Sequence, residues 1–151
     1  MSNYNDRVRF LQPDDYHKGY LQLLGQLTIC DADLITYESF AKQLELIERT
    51  GIKIFVLEDN NKIIATASLL IEPKFIHGLS NVGHIEDVVV SNDYRGLNIG
   101  KLIIGHLLNA ASQFNCYKVI LDCGENNVGF YEKCALQVKG VQMAKYFEKK
   151  N

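Results

Sequence analysis

The chain reads as an α/β (α+β) protein, a single domain over 1–151 in which a central mixed, mostly antiparallel sheet is flanked by helices. The observations behind this are helical spacing of apolar residues in 16–27 and 37–47, period-two alternation in 63–71, and a long amphipathic stretch between apolar strands at 84–90 and 118–123. Length agrees, because 151 residues is close to the commonest domain size and buries enough surface to fold without staples or metal.

A short strand at 7–11 alternates Val8 and Phe10 against Arg7, Arg9 and Leu11. Pro13-Asp14-Asp15 then opens a helix over 16–27 carrying Tyr16, Tyr20, Leu23, Leu24 and Leu27. After a polar segment, a second helix presents Tyr37, Phe40, Ala41, Leu44 and Ile47 on one face and stops at Gly51. Strand 52–57 turns at Asn60-Asn61, residues that tolerate the positive φ of a tight hairpin. In the following strand Ile63, Ala65, Ala67, Leu69 and Ile71 share one face, with Thr66, Ser68 and Glu72 on the other. A loop from Pro73 through His77-Gly78 leads to strand 84–90, whose Val88-Val89-Val90 end reads as buried on both faces. A helix over 100–114 follows, with Ile103, Leu107, Ala110 and Phe114 as its stripe, then a strand at 118–123 and a short helix at 127–133. One broken or two short strands in 136–147 complete the order β-α-α-β-β-β-α-β-α-β.

Composition removes several classes. Apolar residues make 47% and charged residues 23%, ordinary values that speak against disorder. A net charge of −2 gives no strong field for nucleic acid or an anionic membrane. No apolar run is long enough to span a bilayer, and the polar start, Met1 to Asp6, lacks a signal-peptide pattern. Cys30, Cys116, Cys123 and Cys134 form no C-x-x-C pair and have no histidine at metal spacing, so buried, reduced thiols in a cytoplasmic protein are expected. His17 and His106 fall on helices as surface or packing residues, and His84-Ile85-Glu86 lacks the second ligand of H-E-x-x-H chemistry.

The informative stretch runs from Val88 to Lys101, a strand passing through a glycine-bearing turn directly into a long helix. That arrangement exposes successive main-chain N–H groups at a helix N-terminus, beside Arg95 and Lys101, where an anion is favoured. A P-loop is excluded, because Gly96 and Gly100 enclose only three residues and Leu102 follows Lys101. A dinucleotide fingerprint is excluded too, since no G-x-G-x-x-G occurs.

Arg95-Gly96-Leu97-Asn98-Ile99-Gly100 resembles the R/Q-x-x-G-x-G/A loop of the GNAT superfamily of acetyl-CoA-dependent N-acetyltransferases. More narrowly, the segments 84–90, 116–123 and 127–134 are similar to the eukaryotic glucosamine 6-phosphate N-acetyltransferases, in the same order and spacing. The resemblance implies a GNAT-type fold, acetyl-CoA as co-substrate, no metal, and glucosamine 6-phosphate as acceptor on the route to UDP-N-acetylglucosamine. It implies that Arg95, Gly96, Leu97, Asn98, Ile99, Gly100 and Lys101 cradle the pyrophosphate and that Val88, Val89 and Val90 meet the pantetheine arm. Asn127 and Tyr131 join the coenzyme set, with the Tyr131 hydroxyl donating to the departing thiolate. Asn98 stands where the family has glycine, and asparagine is the best non-glycine residue at positive φ.

On the acceptor side the resemblance implies that Asp87 holds a sugar hydroxyl, Glu86 helps remove the ammonium proton, and Asp122 orients the amine. Glu86 and Asp87 face opposite ways on a regular strand, which a bulge, present in the family, would change. As strand acids, Glu86, Asp87 and Asp122 are expected in a buried polar pocket. Thr28, Lys74, Phe75, Ile76, His77, Tyr117 and Lys118 complete the acceptor set, the basic members meeting its phosphate. The family is a homodimer in which a C-terminal arginine reaches the neighbour's phosphate; here Tyr146 stands at that place and Lys145 beside it. Other readings are a GNAT enzyme for another small amine or a peptide, and a non-catalytic acyl-CoA sensor.

Overall fold

Five strands form one sheet in the spatial order β1-β2-β3-β4-β5: β1 (Val8–Phe10), β2 (Lys53–Asp59), β3 (Lys62–Pro73), β4 (Asn81–Val90) and β5 (Cys116–Ile120). All neighbours are antiparallel except β4 and β5, which run parallel. A parallel pair requires a crossover, and α3 (Ile99–Gln113) supplies it. With α1 (Tyr20–Leu24) and α2 (Tyr37–Arg49) this gives the predicted class, a mixed, mostly antiparallel sheet flanked by helices.

The computed structural model describes residues 3–149; Met1 and Ser2, part of the polar start, and both ends of the expected 1–151 domain lie outside the described residues. It divides into two compact units, Met1–Leu121 and Asp122–Asn151. No helix among the described residues is long and apolar enough to cross a membrane.

In the first unit apolar side chains line both faces of the sheet. Ile54 and Val56 of β2 join Tyr20, Leu21, Leu23, Phe40, Leu44, Ile63 and Val89 in one buried cluster, while Phe55 and Leu57 are buried on the opposite face. β3 is therefore buried without a break from Ile63 to Ala67, and the expected polar face is covered; Thr66 donates its hydroxyl to Phe55 O at 2.8 Å. Fully burying each large aliphatic contributes about 1.5–3 kcal/mol. α3 buries Ile99, Ile103, Ile104, Leu107 and Ala111, so its stripe is rotated from the expected one. Phe114 lies past the helix end, exposed, with the Lys53 ammonium 4.7 Å from its ring centre. A Cβ at Gly83 would stand 3.1 Å from Val119 and 3.4 Å from Ala111, so glycine lets α3 and β5 close on β4.

The expected helix over 16–27 is broken. Gly19, at φ 77°, separates a 3₁₀ turn, Pro13–Lys18, from α1. The turn buries Asp15, which accepts two 2.8 Å bonds from Arg9 of β1, and Arg9 also reaches Glu58 of β2. Burial raises the Asp15 pKa, but Arg9, the Gln12 amide and Lys18 outweigh it and hold the carboxyl below its usual range.

In the second unit a 3₁₀ turn, Glu125–Asn127, leads into α4 (Val128–Glu132). The strand expected at 118–123 ends at Ile120, and the tail expected to form strands in 136–147 makes none among the described residues. Val138, Val141, Met143, Tyr146 and Phe147 are exposed there, so the tail lacks the neighbouring strand that its alternation would require.

Candidate active site

β4 passes into the 3₁₀ turn Asn92–Tyr94 and then a short loop into α3. Gly96 adopts φ 80°, and Asn98, the N-cap of α3, adopts φ 59° and ψ 18°. Asparagine thus occupies the left-handed position without a glycine. Arg95, Gly96, Leu97 and Asn98 are exposed, whereas Ile99 is buried and anchors the first turn. The leading N–H groups of a helix have no partner within it, and its dipole favours an anion there. Arg95 and Lys101 are exposed and add positive charge.

The turn ahead of this loop is held from three directions. Ser91 N donates to Ile64 O of β3 at 2.8 Å, Asn92 N to Gln26 Oε1 at 2.9 Å, and the Tyr94 hydroxyl to Asp59 Oδ2 at 3.0 Å. Sequence reasoning passed over Gln26, Asp59 and Tyr94. The aromatic directly before Arg95 was a visible signal, but nothing local marks Asp59, whose partner lies 35 residues away.

β4 carries the anticipated bulge. Thr66 pairs with Val89 and Ser68 with Glu86, so Asp87 and Val88 oppose Ala67 alone, and Asp87 takes φ 52°. Glu86 and Asp87 are both exposed, correcting the expectation of buried strand acids, and the bulge removes the regular alternation that would set them on opposite faces. Asp87 raises the Tyr20 hydroxyl of α1, which burial chiefly pushes up to about 12. Beyond the bulge only Val89 is fully buried, with Val88 and Val90 half-buried, so this end is not covered on both faces as expected. The β4–β5 ladder covers only 81–84 of β4, which leaves the main chain of 85–90 outside it.

The basic residues expected at the acceptor fall into two groups. His77, at φ 52° in the kinked turn Ile76–Leu79, stacks on Tyr117 of β5 with ring centres 4.0 Å apart. The Lys118 ammonium lies 5.5 Å from the same ring, so Tyr117 joins the imidazole and the ammonium. Lys74 instead pairs with Glu72, which also bonds His84 Nε2 at 2.6 Å. Lys74 and then His84 hold the Glu72 carboxyl below its usual range. Neither Glu72 nor His84 had been singled out as a partner. Phe75 is 94% exposed and Ile76 is exposed. Thr28, also exposed, sits in the turn after α1, where its N–H caps the helix at Leu24 O.

In the second unit Tyr131 lies half-buried on α4, edge-on to Phe130 at 4.9 Å. Burial, followed by Cys123, Cys134 and Asp122, pushes its hydroxyl up to about 12. It therefore stays protonated at neutral pH, as a donor must. Asp122 is exposed and follows the end of β5 rather than lying on it, and Asn127 is the exposed N-cap of α4. Lys145 lies in the exposed tail with its ammonium 5.6 Å from the Phe147 ring. No disulfide joins the cysteines among the described residues; Cys134 is buried, Cys30 and Cys116 are half-buried, and Cys123 is exposed against expectation. Among the described residues no group of His, Cys, Asp and Glu could hold a metal ion.

Known proteins resemble this chain over most of its length. The pattern of the acetyltransferase (GNAT) family matches residues 14–136. Glucosamine 6-phosphate N-acetyltransferase of Arabidopsis thaliana is 42% identical over 146 residues, covering 94% of this chain and 97% of that protein. Glucosamine 6-phosphate N-acetyltransferase 1 of Dictyostelium discoideum is 46% identical over 148 residues, covering 94% of this chain and 92% of that protein. The crystal structure of the Arabidopsis thaliana enzyme superposes with a TM-score of 0.89 at 43% identity, covering 93% of this chain and 97% of that one.

Proposed function

This chain belongs to the acetyltransferase (GNAT) family, and from that premise we propose that it acetylates the 2-amino group of glucosamine 6-phosphate, acting as one domain over 1–151. It is an acetyl-CoA-dependent N-acetyltransferase. The observation that carries the site reading is the β4 main chain left outside the β4–β5 ladder, running directly into a loop of exposed amides at the α3 N-terminus. An extended arm can bond the first and a pyrophosphate the second.

The chemistry needs a neutral amine, an electrophilic carbonyl and a protonated leaving group. Glu86, through water, takes the proton from the ammonium while Asp87 and Asp122 hold the sugar. The amine nitrogen attacks the thioester carbonyl carbon, forming a C–N bond and an oxyanion. Collapse breaks the C–S bond, and the thiolate takes the Tyr131 proton. Val88, Val89, Val90, Asn127 and the 95–101 segment hold the coenzyme. His77, Lys118 and Lys74 meet the acceptor phosphate, with Thr28, Phe75, Ile76 and Tyr117 at its borders. The product, an N-acetylated sugar phosphate, feeds UDP-N-acetylglucosamine synthesis.

The enzyme works as a homodimer in this reading, and the exposed apolar residues of the tail, Val138, Val141 and Met143 among them, support a partner there. Lys145 then serves the neighbour's phosphate. Four cysteines not joined in disulfides suit the cytoplasm. Thiol release from acetyl-CoA with glucosamine 6-phosphate, glucosamine and a peptide amine side by side tests the substrate. A strong preference for the phosphorylated sugar is expected, and equal specificity constants for the two sugars would refute the phosphate pocket.

A further inference from the structure

The 95–100 loop begins one residue after Tyr94, and Tyr94 is tied to the far end of a hairpin. Asp59 closes β2, and Asn60 and Asn61, at φ 49° and 59°, turn the chain back into β3. Both Asp59 oxygens are engaged. Oδ1 pairs with the Arg7 guanidinium, while Oδ2 accepts the Tyr94 hydroxyl at 3.0 Å and the Asn60 side-chain amide at 3.1 Å. The Asp59 side chain is only 12% exposed and its bond to Tyr94 is partly buried, whereas the bonds to Arg7 and Asn60 lie at the surface. Its carboxylate raises the Tyr94 hydroxyl above its ordinary value, keeping it a donor across the working pH range. Gly96, at φ 80° and with open space around it, has no packing of its own to fix its orientation.

We propose that Asp59 is a positioning residue for the coenzyme loop: by holding Tyr94 it sets where the amides of 96–100 point. The tie runs from a hairpin whose own strands are buried, so the loop inherits a rigid reference. Asp59 acts on the loop through Tyr94, while its bonds to Arg7 and Asn60 hold the N-terminal turn and the hairpin itself. This rests on the reading that the loop binds acetyl-CoA.

The test is steady-state kinetics with calorimetric coenzyme A binding on Asp59→Ala, Tyr94→Phe and the double variant. Each single variant should raise the KM for acetyl-CoA about tenfold, with turnover and the acceptor KM nearly unchanged. On the acetyl-CoA KM the double variant should do no more than Tyr94→Phe, because the link to the loop is already broken there, and any extra effect of losing the Arg7 and Asn60 bonds should fall on stability. A general loss of structure would instead lower turnover and weaken both substrates together, and that pattern overturns the proposal. So does an unchanged acetyl-CoA KM. If Asp59→Ala does not fold, Tyr94→Phe decides alone, since it removes a single hydroxyl. Gly96→Ala, measured alongside, separates the two ideas. If it raises the acetyl-CoA KM while the other variants do not, the positioning role fails; if it too has no effect, the loop reading fails.

Discussion

On the coenzyme loop the groups offered to a ligand are main-chain amides, set by Gly96 and Asn98 at positive φ and tied back to β2 and β3 through Tyr94 and Ser91. On the proposed acceptor face they are side chains on an exposed turn and an edge strand, His77 and Lys118 gathered on the Tyr117 ring and Lys74 on Glu72. Amide recognition depends on backbone shape, which a few residues with unusual φ preferences dictate locally. Side-chain recognition depends on which distant residues the sheet brings together. Variants should therefore separate the surfaces: damage to the loop weakens acetyl-CoA alone, and damage to the face weakens the acceptor alone.

Tyr131→Phe is expected to have the largest effect and to touch neither surface. The ring and its packing remain, and only the proposed proton donor is lost. Turnover should fall roughly 100-fold, the low end for general acid catalysis because a thioester already has a stable leaving group, with both KM values nearly unchanged. The sign of the pH dependence follows from the hydroxyl being raised to about 12. An acid must be protonated, so turnover should hold steady through pH 10 instead of falling at the ordinary tyrosine value. A drop centred near 10, or unchanged turnover in the variant, would remove the role.

Gly96→Val comes next. A β-branched residue at φ 80° costs about 1–3 kcal/mol of strain, which distorts the amides or opposes their binding conformation. The acetyl-CoA KM should rise about tenfold or more, while the acceptor KM stays put. An equal rise in both would break the division between the surfaces.

The same division explains what could be read from the residues alone. Gly96, Asn98 and the helix that follows carry their conformation in their types and spacing, as do the Asn60-Asn61 hairpin and the Gly51 stop. Gly19 was a signal too, but the apolar spacing of 16–27 hid the break. The bulge at Asp87 had no local mark, because an aspartate at φ 52° is a product of the β3–β4 register. The Glu72–His84 bond and the Asp59–Tyr94 tie join residues far apart along the chain and left no pattern in it, whereas Lys74 meets Glu72 only two positions away. The tail alternates like a strand yet finds no partner strand among the described residues, since alternation records a preference and not a pairing.

Lys118→Ala should raise the KM for glucosamine 6-phosphate about fivefold and leave acetyl-CoA unaffected, because an exposed charge contact contributes on the order of 1 kcal/mol. The difference should vanish with unphosphorylated glucosamine, and it should shrink as salt is added. Loss of acetyl-CoA affinity instead would assign Lys118 to the other surface.

Lys145→Ala is expected to have the smallest effect and reports on the subunit state. Lys145 lies in the exposed tail, and its ammonium, 5.6 Å from the Phe147 ring, gives up that contact on meeting a phosphate. A lysine offers a point charge on a flexible stem, without the paired donors of an arginine, so its attraction is partly offset by lost side-chain freedom. The acceptor KM should rise about two- to threefold, with turnover nearly unchanged, which corresponds to about half a kcal/mol. Lys145→Arg should reverse the change and lower the KM below that of the parent, because the fork can engage two phosphate oxygens. Both effects need the neighbour's tail at the site, so light scattering at assay concentration belongs beside the kinetics. A monomer, or a dimer in which neither substitution alters the acceptor KM, would restrict the acceptor face to the side chains of one chain.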